Sequence, residues 1–273
     1  MKIKNLPDET PEPRQFSVDY IQPWSNMICK IKLQDDIFEE LQKLYNYTTK
    51  NKWKSFGEQL VGQINEEPEV TPEIMEKFPM WPDFCLQTVS QYVRTAMLQS
   101  LYGDDKKLSE FKNEEILTRI QTMWFVNQKP GEYNPAHIHT NCKVSAVVYL
   151  QTPKEQIKDI KEHYQSDGKI TFMNNTGTDS NFANSQCSFD PKPGDMYIFP
   201  ALQHHMVWPY RSSNPDDSRI SLSFNADYTS KSALEQEQKN HQKMYEEMKK
   251  YEQQKSEVKN DKSTDVSDIN KSG

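Results

Sequence analysis

The feature that most constrains the fold is a succession of short β-prone runs, separated by turn residues, that begins near Ile116. The runs are rich in β-branched and aromatic residues, and Gly, Pro or Asn stands between them. Many short strands with such turns are typical of a sandwich or jelly roll rather than of a parallel α/β sheet. The predicted strands are residues 120–126, 137–139, 144–150, 168–173, 195–199, 205–208 and 219–224.

Two amphipathic segments precede these strands. Asp35 and Asp36 begin a segment with apolar residues at helical spacing, and acidic residues favour a helix start. A second apolar stripe predicts a helix over residues 82–102 that ends at Gly103. We expect both helices to cover one face of a sheet.

The composition predicts one globular domain with polar ends. A chain of 273 residues with 34% hydrophobic side chains can bury one substantial core, and the composition changes near residue 230. We expect an extended segment over residues 1–25, one domain over 26–230, and a charged helical or disordered tail over 231–273. The tail mixes charges of both signs and has few apolar residues.

Charge and motifs exclude several classes of protein. The formal net charge is -7 with no block of Lys and Arg, so neither nucleic acid nor an anionic membrane is expected as a partner. The longest apolar run is too short to cross a bilayer, and four scattered cysteines without a CxxC pair fit a cytoplasmic protein. Dinucleotide-binding, P-loop, α/β-hydrolase and zincin motifs do not occur.

Four of the six histidines fall in two tight groups, Asn-Pro-Ala-His-Ile-His at 134–139 and Leu-Gln-His-His at 202–205. Residues two apart in a strand project on one face, so His137 and His139 are expected to point together into a barrel. A third imidazole from a distant strand would complete one facial set around a divalent ion and leave positions open for other ligands.

Arg219 lies fourteen residues after His205 and begins a run of alternating polar and apolar residues. Arg219 and Ser221 share its polar face. A guanidinium can hold a carboxylate by two parallel hydrogen bonds, and a nearby hydroxyl can add another. This chemistry is expected for the distal carboxylate of 2-oxoglutarate.

Seven motifs in this order carry a family resemblance. They are LVGQI (60–64), WFVNQKPGEYNPAHIH (124–139), SAVVYL (145–150), GKITF (168–172), PGDMYIFP (193–200), HMVWP (205–209) and RISLSFN (219–225). Over roughly residues 30–228 the sequence resembles the 2-oxoglutarate/Fe(II)-dependent oxygenase superfamily, in particular its group of 2OG-Fe(II) oxygenases related to prolyl hydroxylases.

The resemblance implies a mainly β fold, with a double-stranded β-helix (jelly-roll, cupin-like) core and the flanking helices described above. It makes His137 the first iron ligand and His205 the distal one. Arg219 with Ser221 would clamp 2-oxoglutarate, and Tyr149 would donate its hydroxyl to the same carboxylate. The implied cofactors are Fe(II), 2-oxoglutarate as cosubstrate and O2.

The sequence departs from the family pattern at one ligand. The superfamily usually has Asp or Glu two residues after the first His, and His139 stands there instead. Three interpretations remain open: His139 is the third ligand, water occupies the position, or a carboxylate such as Glu132 or Asp195 reaches in. Because alternate strand residues share a face, the metal set that we favour is His137, His139 and His205.

The function predicted from these residues is that of a 2-oxoglutarate-dependent dioxygenase, an oxidoreductase that forms succinate and CO2. It would hydroxylate an unidentified substrate, such as a prolyl or other side chain of a protein or peptide. The alternatives are a non-catalytic cupin-like metal-binding module and a metal-dependent isomerase or hydrolase. Arg219 distinguishes the dioxygenase from both alternatives, because neither alternative needs a residue that binds a carboxylate.

Overall fold

The computed structural model describes residues 27–51, 53–101, 103–157, 166–174 and 184–265. The predicted N-terminal segment 1–25 lies outside these residues. The helices are α1 (Asp35–Lys50), α2 (Pro72–Met75), α3 (Met80–Ser100), α4 (Asp105–Lys112) and α5 (Lys231–Asp265). The strands are β1 (Cys29–Lys32), β2 (Ile116–Gln128), β3 (Asn134–His137), β4 (Val144–Gln151), β5 (Ile170–Met173), β6 (Gln186–Phe189), β7 (Asp195–Pro200), β8 (His205–Val207) and β9 (Arg219–Ser230).

The strands form two antiparallel sheets. The first has the order β1-β7-β4-β9-β2 and the second the order β3-β8-β5-β6. From β2 to β9, each strand lies in the sheet opposite to the preceding one, apart from the β5–β6 hairpin. This alternation winds the chain into a double-stranded β-helix, and the predicted jelly roll is confirmed.

Helices α1 and α3 cover the outer face of the five-stranded sheet. Leu41 and Leu44 of α1, and Trp81 and Val89 of α3, are fully buried in one core with the sheet. Asp35 and Asp36 occupy the first turn of α1, where acidic side chains favour the positive end of the helix dipole. The predicted placement of the helices against a sheet is therefore confirmed.

Strand β9 shows how the sequence alternation separates the two faces of this sheet. Ile220, Leu222 and Phe224 pack into the core beneath the helices, whereas Arg219 and Ser221 line a cavity on the opposite face. Successive strand residues point to opposite faces, so one strand serves both the core and the cavity.

Several elements differ from the sequence-based boundaries. Strand β2 spans Ile116–Gln128 instead of 120–126, because it pairs with β9 along its full length. Strand β9 likewise continues to Ser230. Strand β6 and helix α4 were not predicted, and the residue at which the second helix was expected to end, 102, lies outside the described residues.

The segment after β9 forms helix α5, which is largely exposed over residues 231–253. Its first turn is attached to the domain where Lys231 Nζ lies 3.1 Å from Glu115 Oε2 and the Ser232 amide donates to Glu114 Oε1 at 2.9 Å. Within the described part of the chain, no helix combines the length and apolar character that a membrane span requires.

Candidate metal and cosubstrate site

A cavity of about 470 Å³ lies between the two sheets. Its volume is within the range of ligand-binding pockets. All six residues predicted for the site line this cavity, and they come from both sheets and the connecting segments. They are His137, His139, Tyr149, His205, Arg219 and Ser221.

Three imidazoles meet at one point of the cavity. His137 on β3 is directly paired with His205 on β8, and His139 follows two residues after His137. Ligand nitrogens of the three residues lie within 4.8 Å of one another, and His139 Nε2 is 3.4 Å from His205 Nε2. Two imidazole ligands at right angles on one metal ion stand ~3 Å apart, so this spacing suits a shared ion.

Backbone carbonyls orient two of these rings. His137 Nδ1 lies 2.7 Å from Pro135 O, and His205 Nδ1 lies 2.9 Å from Gln203 O. A carbonyl oxygen only accepts, so Nδ1 carries the hydrogen in both residues. The neutral ring then presents its lone pair at Nε2, as in metal-binding histidines whose other nitrogen is held by the protein.

His139 belongs to the cluster but does not lie on the predicted strand. Strand β3 ends at His137 after an irregularity in its pairing, so the prediction that both histidines share one strand is wrong. The His139 amide instead donates to Ala201 O at 2.9 Å. Its ring lies nearly parallel to that of His205, with an interplanar angle of 7° and centroids 5.2 Å apart.

Burial keeps the three imidazoles neutral. Desolvation lowers the pKa of His137 and, together with the neighbouring His137, lowers the pKa of His139 to about 4. Desolvation and the other two rings also lower the pKa of His205 well below its ordinary value of 6.5. Neutral imidazole is the form that binds metal.

The two carboxylates considered as a third ligand make other contacts. Glu132 accepts hydrogen bonds from Asn65 Nδ2 and from the Lys129 amide. Asp195 pairs with Lys30 Nζ at 2.9 Å. Among the described residues, the group that could hold a metal here contains only the three histidines.

Arg219 is a buried charge, with 2% of its surface exposed. Its guanidinium donates to Gly168 O, to Gln128 Oε1, and to Trp208 O at 3.4 Å. No carboxylate of the described residues forms a salt bridge with it. A buried cation without an anionic partner is costly, so this end of the cavity suits a bound anion.

Tyr149 supplies a donor beside this cation. Its ring lies 5.9 Å from the guanidinium, and its buried hydroxyl has no hydrogen-bond partner in the described part of the chain. Burial raises the pKa of Tyr149 to about 12, so the hydroxyl keeps its proton. Ser221 is the direct cross-strand neighbour of Tyr149. A partnerless hydroxyl and a buried guanidinium fit the carboxylate of a cosubstrate such as 2-oxoglutarate.

Among the cavity residues that sequence reasoning missed are Gln128 and Glu67. Gln128, which holds the Arg219 side chain, continues the inward alternation of Trp124 and Val126 and would have followed from a longer β2. Glu67 precedes the predicted strands and lies in no recognisable motif. Nothing in its sequence neighbourhood indicates that it reaches the cavity.

Part of the chain that contains this site matches a known protein family. Residues 122–225 match a family model described as "Putative 2OG-Fe(II) oxygenase". The matched segment contains every predicted metal and cosubstrate residue. No curated protein matches the chain.

Solved structures with overall similarity include two prolyl hydroxylases. A Pseudomonas putida prolyl-4-hydroxylase is 16% identical, covers 74% of this chain and 94% of its own, and has a TM-score of 0.42. A Trichoplax adhaerens prolyl hydroxylase, in complex with a peptide fragment of the hypoxia inducible factor oxygen degradation domain, is 14% identical. It covers 74% of this chain and 84% of its own, with a TM-score of 0.43.

The strand order of the two sheets, rather than these overall likenesses, identifies the jelly roll. The family match implies Fe(II), 2-oxoglutarate and O2 as cofactor and cosubstrates, and the three-histidine group fits iron. Residues 122–225 therefore resemble the 2OG-Fe(II) oxygenases, a family of 2-oxoglutarate-dependent oxidoreductases.

Proposed function

We propose that residues 26–230 form an oxygenase domain that couples 2-oxoglutarate and O2 to hydroxylation of a substrate. The observation that carries this proposal is the presence, in one cavity, of three neutral imidazoles and a buried guanidinium that forms no salt bridge with a described carboxylate. With Fe(II) and 2-oxoglutarate bound, the site would supply oxidative chemistry that yields succinate, CO2 and a hydroxylated product.

In this proposal, His137, His139 and His205 hold Fe(II) through their lone-pair nitrogens. Three neutral ligands contribute no negative charge, so an anionic cosubstrate offsets the charge of the metal. Arg219 binds the distal carboxylate of 2-oxoglutarate, with Tyr149 and Ser221 adding hydroxyl contacts. These contacts orient 2-oxoglutarate in the cavity, with its distal carboxylate at Arg219.

The walls around the histidines are apolar. Ile170, Phe199 and Val207 line the cavity beside them, and the Phe199 ring lies 4.6 Å from that of His205. Such walls limit water access and strengthen the electrostatic contacts of the clamp. The predicted substrate class, a protein or peptide side chain such as proline, stays a prediction.

The test is succinate formation under controlled oxygen. The protein is loaded anaerobically with Fe(II) and 2-oxoglutarate, and oxygen is then admitted. Succinate should accumulate in step with oxygen consumption in the wild type and fall to background in Arg219→Ala. Wild-type protein that binds Fe(II) but forms no succinate and binds no 2-oxoglutarate would contradict the proposal and favour a cupin-like binding module.

A further inference from the structure

The cavity extends past the histidines to a segment that pairs with the free edge of β2. The Phe125 amide donates to Pro68 O at 2.9 Å, the Asn127 amide to Glu66 O at 2.9 Å, and the Val70 amide to Met123 O at 2.9 Å. In this antiparallel register Glu67 stands opposite Val126. Cross-strand neighbours share a face, and both side chains line the cavity.

Glu67 is a buried acid that the site described above does not use. Only 1% of its surface is exposed, and its buried Oε1 has no hydrogen-bond partner among the residues that the structure describes. No described Lys, Arg or His forms a salt bridge with it. A buried carboxylate without a partner is costly, and it remains in a cavity wall most readily where a ligand supplies the partner.

Two glycines, Gly57 and Gly62, lie beside the Glu67 carboxylate. A Cβ atom added at Gly57 would lie 2.8 Å from Glu67 Oε2, and one added at Gly62 would lie 3.5 Å from Oε1 and collide with Asn134 Oδ1. A side chain at either place would therefore force Glu67 or Asn134 to move. The loop between the two glycines also lines the cavity, through Gln59 and Val61.

Aromatic rings extend from the Glu67 segment toward the histidines. The Phe56 amide donates to Glu67 O at 2.8 Å, and the Phe56 ring stacks on Trp124 with centroids 4.9 Å apart. The Trp124 ring lies 6.2 Å from that of His139. Aromatic faces combined with a carboxylate attract cationic nitrogen groups.

The charges in the cavity wall are divided between its ends. Of the described residues that line it, Glu67 is the one carboxylate and Arg219 the one Lys or Arg. Residue 67 is separated from Ser221 by β2, so its backbone lies about two strand spacings, ~10 Å, from β9, the strand that carries Arg219. The cation therefore serves the cosubstrate, and the carboxylate is left for another ligand.

We propose that Glu67, with the aromatic pair Phe56 and Trp124, binds a cationic nitrogen group of the substrate. The substrate class is then a molecule with an amine or guanidinium, carried either by a Lys or Arg side chain or by a free amine. This inference rests on the proposed function, since it assigns the second ligand of the same cavity.

The test measures equilibrium binding by calorimetry to the anaerobic Fe(II) protein with 2-oxoglutarate. The probes are N-acetyl-lysine methylamide, N-acetyl-arginine methylamide and n-butylamine, compared with neutral N-acetyl-norleucine methylamide. At pH 8, a cationic probe should bind at least about tenfold more tightly than the neutral one, as for a buried charge pair. Preference for the acetylated probes indicates a peptide side chain, and preference for n-butylamine a small amine; both support the proposal.

Glu67→Gln should remove the preference for cations while leaving 2-oxoglutarate binding unchanged, which also shows that the variant is folded. Glu69→Gln is the matched control, because Glu69 lies on the same segment but pairs with Lys54 Nζ at 3.2 Å and does not line the cavity. It should bind the probes as the wild type does.

The preference should also weaken between pH 8 and pH 6 in the wild type, because burial, aided by Glu132, raises the pKa of Glu67 to about 7. In Glu67→Gln, the ratio of the affinities for cationic and neutral probes should not change with pH. Wild-type protein that binds 2-oxoglutarate but shows no preference for cationic probes overturns this inference alone, as does a Glu67→Gln variant that keeps the preference. Failure of the wild type to bind 2-oxoglutarate overturns the proposed function instead.

Discussion

At the scale of single residues, His205 is the most buried of the three clustered imidazoles, with 4% of its surface exposed. Its Nδ1 is held by a backbone carbonyl, so its Nε2 is presented to the cavity in a fixed direction. Substituting His205→Ala should abolish measurable Fe(II) binding in an anaerobic titration, because two imidazoles then hold the ion only weakly.

The control for this substitution is the neighbouring His204→Ala. His204 does not belong to the three-histidine group, so this variant should retain most of the Fe(II) affinity. Equal affinities in wild type and His205→Ala would refute the assignment of the metal site.

Substitution of Tyr149 tests the proposed 2-oxoglutarate clamp without removing a charged side chain. Tyr149→Phe should weaken 2-oxoglutarate binding about tenfold, because one hydrogen bond to a charged group contributes ~1.5–3 kcal/mol. Tyr197→Phe is the matched control: the Tyr197 ring packs edge-on against Tyr149 at 6.2 Å and is equally buried, but it does not line the cavity. Similar affinities in Tyr149→Phe and Tyr197→Phe, measured by calorimetry, would remove Tyr149 from the clamp.

Glu67 makes stability depend on pH in the protein without substrate. Its pKa rises from 4.5 to about 7 on folding, so the native state binds the proton more tightly than the unfolded state. Its contribution to stability is therefore full below pH 4.5 and is lost as the pH rises through about 7. Relative to the wild type, Glu67→Gln should gain stability on passing from pH 5 to pH 8, by up to ~3 kcal/mol.

The measurement is denaturant unfolding of both proteins at the two pH values, with Glu69→Gln as the control. A difference between wild type and Glu67→Gln that does not change with pH would show that the carboxyl titrates normally in the folded protein.

The residues predicted for the site were recognisable because their types and spacing are typical of a metal site and a carboxylate-binding strand. Two histidine groups and an arginine on an alternating strand can be found along the chain, and the structure brings them into one cavity. Glu67 and Gln128 could not be found in this way. Their roles depend on which segments pair with β2, and the local sequence does not encode that pairing.

At the scale of elements, the tail should be separable from the domain. Beyond its first turn, α5 is an exposed helix, and its described anchoring contacts come from Lys231 and Ser232. Truncation after residue 232 should leave a folded protein with unchanged Fe(II) affinity. Aggregation of the truncated protein, or loss of cooperative thermal unfolding, would show that α5 protects the core.

The strands were easier to predict than their ends. Alternating and continuous apolar runs located β2, β4, β7 and β9, because these strands bury residues on the helix-covered face of the sheet. The paired lengths of β2 and β9 exceed the apolar runs, since backbone pairing and contacts between polar side chains, such as Gln121 with Asp227, extend the two strands. Strand β6 has an exposed Gln-Cys-Ser start and gives no hydrophobic signal.

At the scale of the whole molecule, the jelly roll separates two environments. The outer face of the five-stranded sheet packs against helices, and its inner face carries polar and ionisable side chains into a cavity shared with the second sheet. The three clustered histidines come from the second sheet and the loop after β3, whereas Arg219, Ser221 and Tyr149 come from the first. Only the folded barrel brings them together, so binding of the cosubstrate reports on the entire arrangement.

The most direct test is calorimetry of 2-oxoglutarate binding to the anaerobic Fe(II) protein, comparing wild type, Arg219→Ala and Arg219→Lys. The wild type should bind, and Arg219→Ala should bind at least about thirtyfold more weakly, since losing one partner of a buried charge pair costs ~2–5 kcal/mol. Arg219→Lys should recover only part of the loss, because an ammonium lacks the planar fork. Iron affinity should change much less. Absence of binding in the wild type, or identical binding in wild type and Arg219→Ala, would contradict the oxygenase assignment.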